Sequence, residues 1–217
     1  MTTTVPSPAA ARPRSWWRRN RWALVALPLA LALMAAASAD RVRSLWWEQG
    51  LHDPTTAAPG AAVAFHQDVR DGLGGTRPLD VEVRLDAVVD ATTPPRDLVV
   101  PAGARAVQVE MTLSADPDVV LRGCSLAVRD ADGTRYDYVA NGWGASQPAS
   151  PCVPADAPGP APSLGDLDDV LTPDSTPRRP ATWTVSPVVA LPADVQVSDV
   201  VLWWQLPQHV VLPTARG

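Results

Sequence analysis

The pattern of this chain predicts an all-β antiparallel sandwich preceded by one N-terminal transmembrane helix. Three observations point that way. Trp22 to Ala39 runs for 18 residues without a charge. Leu79–Leu85 and Val107–Leu113 alternate apolar and polar side chains with period two. Elsewhere Pro, Gly and Asp-Gly cut the chain into runs of strand length.

A helix over the 18 uncharged residues rises roughly 27 Å, close to the hydrocarbon thickness of a bilayer. Residues 1–21, rich in Thr, Pro and Arg, have the composition of a disordered tail. Trp16 and Trp17 stand beside Arg18, Arg19 and Arg21; Trp22 opens the apolar run, and Trp46 and Trp47 follow it. Tryptophan favours the headgroup level and an arginine excess marks the cytoplasmic side. These residues therefore form the expected membrane interface, with the N-terminus inside and the remainder outside. The helix is expected over 22–48, since Trp22 to Trp46 spans about 36 Å of helix. Ala37-Ser38-Ala39 is also a small-x-small cleavage site, so release after Ala39 is the alternative.

Charge follows the same division. Residues 1–43 carry seven Arg and one acid, whereas 44–217 carry 11 Arg and 22 acids. A basic head suits the anionic cytoplasmic leaflet. The acidic body excludes nucleic acid, which requires a basic face. Cys124 and Cys152 are the two cysteines and lie outside any CxxC spacing. In an oxidising compartment they are expected to form one disulfide, stabilising by about 3–4 kcal/mol in the chain-entropy model; the alternative is two buried free thiols.

Residues 49–60 read as a linker, punctuated by Gly, Pro and Thr. The sandwich is expected over 61–217. Its first strand lies within 61–69, and then come the alternating runs 79–85 and 107–113 with their odd-numbered apolar residues inward. Ser125–Asp130 and Thr134–Val139 flank Asp132-Gly133, a hairpin signal. Residues 140–180 form a long Pro-rich loop, and strand pattern returns at 181–185, 188–191, 197–206 and 209–212.

The succession DVEVRLDAV, ARAVQVEMTLSA, SLAVRDADGTRYDY and PVVALPADVQVSDVVLWW resembles the immunoglobulin-like extracytoplasmic domains of uncharacterised bacterial membrane-anchored proteins. The use of arginine to the exclusion of lysine, with abundant Ala, Pro and Val, suggests an actinobacterial type. That resemblance covers about residues 80–212. It implies an immunoglobulin-like sandwich outside the membrane and brings no active site with it.

The residues offer little catalytic chemistry. Asp130-Ala-Asp132-Gly resembles the start of a calcium loop, but an EF-hand needs Glu at its twelfth position, where Asn141 stands. Asp166, Asp168, Asp169 and Asp174 gather carboxylates in the long loop. His52, His66 and His209 share no ligand spacing. Trp203 and Trp204, if on a strand, point to opposite faces, one into the core and one outward. The expected function is a non-enzymatic, membrane-anchored binding or scaffolding module for another envelope protein, with no cofactor and no metal. A secreted soluble sandwich and a hydrolase using the acidic loop are the alternatives.

Overall fold

The computed structural model describes residues 16–71, 74–140, 147–161 and 177–215, with the helical backbone alone for residues 16–19. It divides into two compact units, Met1–Glu48 and Gln49–Gly217.

The first unit is helix α1, Trp16–Val42, continued by a single π-helical turn, Arg43–Trp47, in which the Glu48 N–H donates to the Arg43 carbonyl at 2.9 Å. The helical stretch Asn20–Trp47 has a mean hydropathy of 2.0 and none of its apolar window is buried. Its 28 residues rise about 42 Å, long enough to cross a membrane. Helix begins at Trp16, which corrects the expectation of a disordered segment up to Arg21. Trp16 to Arg21 contain neither Gly nor Pro, so the helical run continues backward without a breaker.

The second unit holds ten strands among the described residues: β1 Asp53–Thr56, β2 Val63–Arg70, β3 Thr76–Asp90, β4 Ala104–Ser114, β5 Ser125–Arg129, β6 Arg135–Asp137, β7 Thr182–Val185, β8 Val188–Pro192, β9 Asp199–Trp203 and β10 Gln208–Pro213. One sheet runs β1-β10-β9-β5-β6; the other runs β2-β3-β4-β7, with β8 also on β4. The order β10-β9-β5, last strand beside the penultimate and then a central one, is the G-F-C arrangement of immunoglobulin-type sheets. The second sheet differs from the immunoglobulin order, since β2, β3 and β4 follow one another in it, and the disulfide differs too: it is not the inter-sheet bridge of antibody domains.

The expected linker 49–60 is corrected. Asp53–Thr56 forms an edge strand paired in parallel with Gln208–Val211. A four-residue parallel edge with Pro54 in it carries no alternation, so nothing in Gly, Pro and Thr punctuation signals it.

The period-two runs bury what they predict. Leu79, Val81, Val83 and Leu85 on β3 and Val107, Val109, Met111 and Leu113 on β4 line the core, facing Leu126, Val128, Val200, Leu202, Val210 and Leu212 of the other sheet. Burying a side chain of this size contributes about 1.5–3 kcal/mol. A register shift between Leu85 and Ala87 bulges β3 against β4.

The Asp130–Thr134 turn closes the β5–β6 hairpin. The Asp130 carboxylate accepts the N–H groups of Asp132 (2.9 Å) and Thr134 (2.8 Å). Gly133 sits at φ +82°, a region costly to residues with a Cβ. Gly133→Ala is expected to lower stability by about 1–2 kcal/mol, read from the urea midpoint. Burial opposes ionisation of Asp130, but the donors from Thr134, Asp132 and Tyr136 outweigh it and hold the carboxyl below its ordinary range. Its stabilising contribution is therefore full above the unfolded pKa and is lost as pH falls through the folded one.

Candidate functional site

Three places in the sandwich gather polar side chains with structural purpose. The first pins the long loop to the sheets. Cys124, at the entrance to β5, is joined by a disulfide to Cys152, with Cα atoms 6.3 Å apart. The Cys152 N–H donates to Cys124 Sγ at 3.1 Å, and the Gly123 N–H donates to the Ser150 hydroxyl at 2.7 Å. Trp183, inward on β7, donates its indole N–H to the Cys152 carbonyl at 3.0 Å. Arg179, 1% exposed, stacks its guanidinium 4.6 Å from the Trp183 ring centroid. Its Nη2 donates to the carbonyls of Asp116 (2.7 Å) and Val119 (2.9 Å). Burial lowers the pKa of Arg179, opposed by Asp116 and Asp118. This cluster orders loops 115–123, 147–153 and 177–181 as one assembly.

The second is the outer face of β2 and β3. His66 Nδ1 lies 2.7 Å from Asp80 Oδ1, with both side chains mostly exposed. The hydrogen bond and charge of Asp80 raise the pKa of His66. That contribution to stability is full below the unfolded pKa of His66 and is lost as pH rises through the raised one. Asp80→Asn is expected to bring the His66 titration, followed by the NMR shift of its ring protons, down toward 6.5. The pair makes no Ser-His-Asp relay. Ser114 lies two strands from His66, and its hydroxyl is 3.0 Å from that of Thr182.

The third is a cleft of about 390 Å³ at the bulged end of the sandwich, walled by Leu85, Val88, Val107, Val197 and Pro213. Arg105 straps its mouth, bonded to Asp90 and, through Nη2, to the Val195 carbonyl at 2.8 Å.

Of the residues singled out in the sequence, Cys124 and Cys152 are joined. Trp203 and Trp204 do point oppositely: Trp204 stacks on Phe65 at 5.7 Å and donates to the Leu121 carbonyl, while Trp203 lies beneath Arg135 at 5.5 Å. His209 is buried, with Nδ1 3.1 Å from the Pro207 carbonyl, and burial lowers its pKa. Trp22, Trp46 and Trp47 are exposed on the helical unit, where Arg21 lies 5.6 Å over the Trp22 ring. Asp130 and Asp132 serve the hairpin turn. The side chains of Trp16, Trp17, Arg18 and Arg19, together with Asn141, Asp166, Asp168, Asp169 and Asp174, lie outside the described residues. Among the described residues no group of three His, Cys, Asp or Glu could hold a metal ion.

Sequence reasoning missed Arg179 and the His66–Asp80 pair. The pair was readable: His66 and Asp80 sit at matched distances from the 71–75 turn, so a hairpin there brings them opposite one another. Arg179, in a Pro- and Arg-rich stretch, carries no periodic signal.

No protein-family profile matches the chain, and no curated protein matches it. Two solved structures resemble it. The secreted protein MPT63 of Mycobacterium tuberculosis is 14% identical, covering 74% of this chain and 97% of its own at a TM-score of 0.41. An uncharacterised β-sandwich protein of Clostridium difficile is 9% identical, covering 77% of this chain and 97% of its own at a TM-score of 0.31. Likeness at this level leaves the function of the chain open, and the strand pairing itself establishes the sandwich.

Proposed function

We propose that the chain is a non-enzymatic module displayed outside the cytoplasmic membrane, held by its N-terminal helix, where it binds or scaffolds another envelope protein. The observation that carries this reading is the buried Cys124–Cys152 disulfide in a unit preceded by a long apolar helix. Disulfides persist in oxidising compartments, and the helix supplies the route there. An acidic, disulfide-stapled sandwich is a rigid display platform, and its polar clusters hold loops and turns in place.

The secreted alternative is weighed by the helix itself. It runs without interruption through Ala39 to Val42 and on through the π turn to Trp47, so the small-x-small site lies inside regular structure. We take retention as the reading, on the Trp46 and Trp47 belt that follows the small-x-small site. Fractionation of cells followed by mass spectrometry of the mature N-terminus tests the reading. Retention in the membrane with residues 1–39 intact is expected; a soluble species beginning at Asp40 overturns it. Loss of an intrinsic turnover activity on replacing Asp166, Asp168 and Asp169 together would restore the hydrolase alternative.

A further inference from the structure

The four sheet edges differ in how they are closed. β1 is four residues long and contains Pro54, and β6 has three residues. β7 and β8 are short and interrupted at Pro187, and β8 ends in Pro192. Short strands and prolines are the usual means of blunting an edge. β2 has neither: its eight residues, Val63–Arg70, pair with β3 on one side, and its other side is the sheet margin.

The direction of its backbone groups follows from two hydrogen bonds. The Asp71 N–H donates to the Gly75 carbonyl at 3.1 Å, across the hairpin toward β3. The Arg70 N–H points the other way, donating to Gln205 Oε1 at 2.8 Å. Alternate residues of an antiparallel strand point their N–H and C=O groups to the same side. Ala64, His66 and Asp68 therefore direct theirs away from β3 with Arg70, while Val63, Phe65, Gln67 and Val69 pair inward. Gln205 caps Arg70, which leaves Ala64, His66 and Asp68 as the positions of the edge with no backbone partner among the described residues.

We propose that this open segment of β2 pairs with the same segment of a second copy, antiparallel, with His66 opposite His66 of that copy. The segment is symmetric about His66, so this register uses all three outward residues of each strand and stops short of Arg70, where Gln205 already occupies the edge. Side-chain charge sets the two His66 rings against each other, each beside the Asp80 carboxylate of its own chain at 2.7 Å. Asp68 falls opposite Ala64 of the second copy and diagonal to its His66, so no two carboxylates face each other directly. Moving the register two residues toward Arg70 on both chains would set Asp68 against Asp68 and bring each strand into the Gln205 cap. The two five-stranded sheets become one continuous sheet, and the new pairs are of the closely hydrogen-bonded kind.

The test uses the full chain in detergent or native membranes, with cysteines introduced one at a time and mild oxidation. In a hydrogen-bonded antiparallel pair the Cα atoms lie about 5.5 Å apart, within reach of a disulfide. His66→Cys alone is expected to give a covalent dimer, and so is a mixture of Ala64→Cys and Asp68→Cys chains. Ala64→Cys or Asp68→Cys alone is expected to give none, because those residues lie about four strand positions from their own copies. Adding Asp68→Pro to His66→Cys removes one outward donor and leaves the β3 side intact. It is expected to abolish the cross-link with melting of the chain little changed. Cross-linking of the His66→Cys chain only to a different protein, equal cross-linking at all three positions, or persistence of the link in a folded Asp68→Pro chain each overturns the proposal.

Discussion

Arg179→Ala is expected to destabilise the sandwich by about 3 kcal/mol, among the larger effects of any single substitution in it. The Arg179 side chain is almost wholly enclosed, and its Nη2 satisfies two carbonyls, those of Asp116 and Val119. Truncation takes the Arg179 donor from the half-buried Val119 carbonyl and from the Asp116 carbonyl, which keeps the Val119 N–H at 3.0 Å, at about 1 kcal/mol each, and opens a cavity against Trp183. Part of that loss is offset. Nε and Nη1 have no partner among the described residues, so the folded protein already bears the cost of enclosing a charge with two donors unmet. Arg179→Met separates the contributions, because it keeps most of the volume while giving up the charge and both carbonyl bonds. It should cost less than the alanine by the cavity contribution alone, with urea midpoints of the two variants giving the difference. An alanine variant as stable as the parent would mean that the loops around 116–119 are held by something else. Gly159, at φ +73°, belongs to the same construction. A Cβ there would lie 3.0 Å from Arg179 Nη1 and 3.1 Å from its Cβ, so backbone and side chain share a space only glycine leaves open.

What could be read in the sequence and what could not divide along a physical line. Alternation at Leu79–Leu85 and Val107–Leu113 reports a sheet with one wet face, and the strands fall where the pattern puts them because burial enforces the period. The Asp-Gly turn was equally plain, since a left-handed position selects glycine locally. The uncharged run gave the helix and approximately its end. Contacts that join distant segments were the ones that escaped. β1 pairs across more than 150 positions of chain with β10 and buries little, so neither period nor composition marks it. Arg179 matters because of what the disulfide, β7 and the turn at Asp116 bring around it, none of which its neighbours in sequence foretell. The cysteine pairing was legible because two cysteines allow only one bridge, but its role as a loop pin required Trp183 and Ser150 in place.

Replacing both Cys124 and Cys152 with serine is expected to lower stability by about 3 kcal/mol, and the melting temperature by roughly 6–12 °C for a chain of this size. The bridged positions are 28 apart, a loop whose closure restricts the unfolded chain appreciably. Native-state contacts add to that entropy. Cys152 presents its carbonyl to the indole N–H of Trp183 and its own N–H to Cys124 Sγ, so losing the bridge also loosens the wall on which Trp183 and Arg179 are stacked. Trp183→Phe removes the indole donor while keeping an aromatic ring. If the bridge and the indole act on one loop, the losses from the serine pair and from Trp183→Phe should fall short of adding by about 0.5 kcal/mol or more; strict additivity would show that the bridge acts through the unfolded chain alone. Both cysteines are buried, so reductant by itself is expected to leave the bond closed in the folded protein. Thiol labelling should appear only as denaturant opens the sandwich, and its midpoint should coincide with the loss of tryptophan fluorescence. Ready labelling under native conditions would mean that the 147–153 loop lifts from β5 on its own, and the pin would then be a latch that opens while the two sheets stay folded.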